Sequence, residues 1–147
     1  MRSLAPGLEG ARYVFGVALL RKGQPEAALA EMQQESSEVW RMVGLPMAYY
    51  ALGRKEESDA ALAQLIAKYE DWSYTIAYVC AFRGDADHTF EWLDKAAQYG
   101  DTGLSDLAFE NVFDNIKQDP RWLPFLRKIG KAPEQLAAIK FDVKVPQ

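Results

Sequence analysis

The chain has 147 residues, 49% of them apolar and 26% charged, with a formal net charge of −4, enough to bury one core but not a second large one. Its Lys and Arg residues are scattered among acids, which excludes the concentrated basic face that a nucleic-acid partner requires. A lone cysteine, Cys80, excludes a disulfide framework and fits a reducing, cytoplasmic compartment, and the lack of any apolar run near the ~18–20 residues of a bilayer span argues against a membrane.

After a lead-in with a Pro6–Gly7 turn, apolar residues predict a helix from Leu8 or Glu9 to Lys22, stopped by Gly23. Pro25, suited to a first helical position, opens a second helix over Pro25–Gln34. Ser36 and Ser37 are N-cap candidates for a third, carrying Val39, Trp40, Met42 and Val43, which Gly44-Leu45-Pro46 should interrupt and kink before it resumes through Tyr49–Leu52. Its partner spans Lys55–Tyr69, and a further pair runs over Ser73–Phe82 and from Asp85 or Ala86 to Tyr99. Beyond Gly100 the pattern weakens to short helices at Leu104–Phe109 and Asn111–Lys117, then one from Asp119-Pro120 to Ile129 with Asp as cap. In the last residues Ile139, Phe141, Val143 and Val145 alternate with Lys140, Asp142 and Lys144, a strand period with no neighbouring strand to pair with. Such a tail either lies along a helical surface or pairs with a second copy of the chain.

One pattern recurs three times. Gly23, Gly53 and Gly84 are each followed five residues later by a small residue (Ala28, Ser58, Thr89) and nine later by a bulky one (Met32, Leu62, Leu93). Seven before them stand Gly16, Pro46 and Ala77; eight before stand Phe15, Leu45 and Ile76. Small beside large at matched places lets antiparallel helices approach closely, and a spacing of 30 and 31 residues is the period of helix-pair solenoids. With Leu19, Tyr49 and Cys80 four before the glycines, these residues resemble the tetratricopeptide repeat (TPR) family. The resemblance implies an all-α, alpha-alpha superhelix of about three repeats over 9–100, degenerate capping helices over 101–131, and a short helix with an extended tail over 132–147. AYYALGR, EESDAAL, FEWLDKA and VFDNIKQDPRW are similar to bacterial TPR segments that accompany signalling modules such as nucleotide cyclases and transcriptional regulators. The repeats are shorter than the family's, Pro46 stands in a small-residue slot, and no repeat ends in the usual proline. TPR domains that hold chaperone C-termini use a Lys and Asn clamp on successive first helices, whereas this chain has only Asn111 and Asn115, both outside the repeats.

Chemistry is sparse. His88 follows Asp85 and Asp87 at a helix start, where acids serve as caps, and one His with one distant Cys is too few ligands for zinc. Glu110 and Asp114, one turn apart, read as a solvated helix face. No phosphate loop, EF-hand or dinucleotide fingerprint is present, so no catalytic residue, metal or cofactor is expected and the segment is not read as an enzyme.

The family's concave face implies positions ten, six, three and two residues before each glycine. They give Tyr13, Val17, Leu20 and Arg21; Val43, Met47, Tyr50 and Ala51; and Tyr74, Tyr78, Ala81 and Phe82. Tyr, Phe and Met in such a wall are what partner-binding hot spots use. Either these residues line an open groove, or they are core beneath the chain's own tail or a neighbouring helix. Two functions follow. One is a module that takes a protein or peptide partner in a tyrosine-rich groove, with Tyr50, Tyr78 and Phe82 as anchors and Arg21 at the edge. The other is a regulatory or self-assembly tail of a larger signalling protein, with Ile139, Phe141, Val143 and Val145 closing the groove or pairing between subunits of a homo-oligomer.

Overall fold

The computed structural model describes residues 9–139, and every regular element among them is helical. Six helices form three hairpins: α1 (Ala11–Arg21) with α2 (Pro25–Gln33), α3 (Glu38–Ala51) with α4 (Lys55–Tyr69), and α5 (Ser73–Phe82) with α6 (Ala86–Tyr99). Two 3-10 segments, Thr102–Phe109 and Asn111–Phe113, lead to α7 (Trp122–Lys128) and α8 (Pro133–Ala137). Hairpins stack in chain order, α1 against α3 and α3 against α5, while both 3-10 segments lie on α5. No helix among the described residues is long and apolar enough to cross a membrane.

The three hairpin turns are copies of one another. At each, the glycine takes positive φ (75°, 75° and 69° at Gly23, Gly53 and Gly84), a conformation costly for any residue with a Cβ. The next residue's N–H then reaches back to the carbonyl five before it: Gln24 to Leu19 at 2.9 Å, Arg54 to Tyr49 at 2.9 Å, and Asp85 to Cys80 at 3.0 Å. This double-bonded helix end satisfies carbonyls that would otherwise be orphaned. Behind each turn the small residues meet across the hairpin. Ala28, Ser58 and Thr89 are wholly buried; a Cβ on Gly16 would come within 2.9 Å of Met32, and the Ser58 hydroxyl donates to the Pro46 carbonyl at 2.7 Å.

Pro46 does not interrupt its helix: α3 is continuous through it. Proline removes one N–H from the ladder without ending the helix when the surrounding packing holds the turn, and Pro46 is buried here. Four other expectations shift. The first helix begins at Ala11 rather than Leu8 or Glu9, because Gly10 in a left-handed conformation (φ 86°) turns the chain in. Ser37 occupies the N-cap position of α3 but makes no side-chain capping bond; the buried Glu35 carboxylate holds the N-cap residue's own N–H instead. It accepts N–H groups from Ser37 at 2.8 Å, Tyr13 at 3.0 Å and Gly10 at 3.2 Å, serving the starts of α1 and α3 together. The expected helices at Leu104–Phe109 and Asn111–Lys117 are 3-10 in form, the second ending at Phe113. Finally, the regular part of α7 starts at Trp122, although Asp119 makes the cap-type bond expected of it, accepting the Arg121 N–H at 2.9 Å as well as the Arg121 guanidinium.

One continuous core joins α3, α5 and α6 to the C-terminal segments, with Phe113 fully buried at its centre. Its ring lies 5.8 Å from Tyr74, 6.2 Å from Tyr78 and 6.2 Å from Trp122. Cys80 is part of this core, and burial pushes its thiol up to about 12, leaving it in the unreactive protonated form. Ile139 ends the described residues with its side chain exposed; Phe141, Val143 and Val145, the rest of the expected strand, lie outside them.

Candidate binding cavity

The inner helices α1 and α5 do not close on each other, and between them lies a cavity of about 720 Å³. From α1 it takes Tyr13, Val17 and Arg21, and from α5 Tyr74 and Tyr78, five of the residues expected on the concave wall. Trp40 of α3 completes the aromatic lining, stacked on Tyr13 with ring centroids 4.9 Å apart. Across from α1, the first 3-10 segment and the residue after it contribute Gly103, Asp106 and Glu110. Val14, Ala18, Lys22 and Thr75 line the rest.

The other expected positions are elsewhere. Met47 is completely buried, and with Val17, Arg21, Tyr78 and Phe82 it borders a separate recess of about 170 Å³ whose far wall is Asn111 and Val112. Tyr50 lines neither space; its ring packs edge-on to Phe82 at 6.4 Å, with the Arg83 guanidinium 5.8 Å above it. The middle of that expected wall is therefore core, covered by the 3-10 segment carrying Val112 and Phe113, while its α1 side stays open. The same set of expected positions thus contains both buried residues and residues lining open space.

Asp101 positions the covering segment. Its carboxylate accepts the Tyr74 N–H at 3.1 Å and the Gly103 N–H at 2.8 Å, joining the start of α5 to the start of the 3-10 run. The approach is so close that a Cβ on Gly103 would fall 2.4 Å from the Tyr74 ring, near the root of that side chain rather than its mobile end. Gly103→Ala is expected to lower stability by about 1–3 kcal/mol, the usual cost of overpacking, and to shift the Tyr74 ring. Urea unfolding monitored by circular dichroism checks this; an unchanged midpoint would mean that the segment lies further from α5.

Polar groups gather at the cavity. Tyr74 is 7% exposed, and its hydroxyl is buried without a hydrogen-bond partner, which is costly unless something supplies one. Burial raises the hydroxyl pKa values of Tyr13, Tyr74 and Tyr78, and the Glu110 carboxylate raises each further. Arg21 acts in the opposite sense on Tyr13 and on Tyr78, on the latter through both its charge and a side-chain hydrogen bond. Asp114, which the sequence pairs with Glu110, is turned to Lys117 at 3.0 Å. Trp40, Asp106 and Glu110 were not among the expected site residues, since the repeat period carries no information about a first-turn residue of α3 or about positions outside the repeats.

His88 lies at the start of α6, where Asp85 accepts its N–H at 3.1 Å and contacts its ring nitrogen at 2.6 Å. No group of three His, Cys, Asp or Glu residues among the described ones is placed to hold a metal ion. The fold and site thus define an all-α, helical repeat-like protein with an aromatic cavity between its first and fifth helices. Comparison of the chain with protein-family models, curated proteins and solved structures finds no match in any of the three.

Proposed function

We propose that this chain is a TPR-like superhelix that acts, without catalysis, as a protein-interaction module, taking an extended segment of a partner protein in the cavity between α1 and α5. The observation that carries the reading is the convergence of Tyr13, Val17 and Arg21 with Tyr74 and Tyr78 around one open space. Residues from the first and third hairpins line it together. Rigid aromatic walls provide large contact area at low entropic cost, and about 720 Å³ is within the range of preformed ligand sites.

Ala18 gives a clean test because it is exposed yet lines the cavity; enlarging it fills the space without touching the core. Peptides selected from a random 12-residue display library on the wild-type chain are expected to bind Ala18→Trp at least ten-fold more weakly, with helicity and melting temperature unchanged. Equal binding to both proteins, or no enrichment on the wild type, would reject the module.

A further inference from the structure

Resting on that reading, we infer that the cavity selects an arginine side chain of the partner segment, with the guanidinium lying among the aromatic rings and paired to Glu110. The site's charge is unevenly placed. Glu110 is half-buried in the wall, whereas Arg21 and Lys22 stand exposed on the edge of α1. The half-buried charge in the wall is therefore a carboxylate, and the two cations stand on the exposed rim, Arg21 beside the Tyr78 hydroxyl. Among the described residues neither Glu110 nor Asp106 is in an ion pair. An anionic ligand would have to sit against Glu110, and a purely apolar one would cover that carboxylate without pairing it, which desolvation penalises.

A guanidinium answers each feature. Its flat face stacks on rings such as those of Tyr13 and Trp40, and its N–H fork matches a carboxylate. Its methylene stem passes along Val17.

The test compares Nα-acetyl-arginine amide with Nα-acetyl-citrulline amide, which has almost the same shape and no charge. Chemical shifts of the Trp40 indole and the Tyr74 and Thr75 amides are followed by NMR on the full chain. The arginine probe is expected to bind at least ten-fold more tightly, and Glu110→Gln to erase most of that preference. Equal affinity for the two probes, a preference that survives Glu110→Gln, or no response of these signals to either probe would overturn the assignment. Because display peptides blocked by Ala18→Trp would persist in each of those cases, failure here is distinguishable from failure of the interaction module itself.

Discussion

Phe113→Ala is expected to cost about 4 kcal/mol, within the usual range for removing a buried phenylalanine and leaving its cavity. The ring is wholly enclosed and touches Tyr74, Tyr78 and Trp122. It is the rivet between the hairpin array and the segments that cover it. With a urea m-value of about 2 kcal/mol/M for a chain of this size, the unfolding midpoint should fall by about 2 M. The loss should be cooperative, because the core runs unbroken from α3 through α5 to α7. A drop of less than about 0.5 M would show that the C-terminal segments contribute little to holding the array together in solution.

The second large effect is expected at Glu35. Its carboxylate is 2% exposed and accepts three backbone N–H groups from the starts of two helices, while its own carbonyl receives the Arg41 guanidinium at 2.8 Å. Glu35→Ala strands those donors and should lower stability on the order of 3 kcal/mol, a fall in melting temperature of about 10 °C. The pH dependence has a definite sign. Burial works to raise the Glu35 pKa, but the surrounding N–H groups, those of Ser37, Tyr13 and Gly10 foremost, together outweigh it and hold the carboxyl below its ordinary value of 4.5. A carboxylate depressed on folding stabilises the protein fully above its unfolded pKa and stops doing so as pH falls through the folded one. Below pH ~4.5 the wild-type chain should therefore lose stability more steeply than Glu35→Gln, as read from melting temperatures in an acid series. Parallel curves for the two proteins would contradict this role.

Much of this architecture is written locally. Gly23, Gly53 and Gly84 end helices because only glycine accepts their φ cheaply, and α4 and α5 have the bounds that periodicity and glycine spacing indicate. Ala28, Ser58 and Thr89 are legible as the contact points of each hairpin because that contact lies within one repeat. Local rules misjudge places where a distant group competes. Glu35, not the Ser37 hydroxyl, binds the start of α3, because its carboxylate lies where the starts of α1 and α3 meet and takes an N–H from each.

For the site, the repeat register identifies Tyr13, Val17, Arg21, Tyr74 and Tyr78, since residues at equal offsets from each turn share a wall once hairpins stack. It says nothing of which part of that wall remains open. That depends on a segment outside the repeats, where Phe113 seals one end and Glu110 charges the other. The sequence alone therefore determined the hairpins and the face they share, because those rest on contacts between near neighbours in the chain. Only the tertiary structure decided how much of that face is core and how much is cavity, because the answer lies in how residues 102–113 lie across α5, a contact between remote segments that no local period encodes.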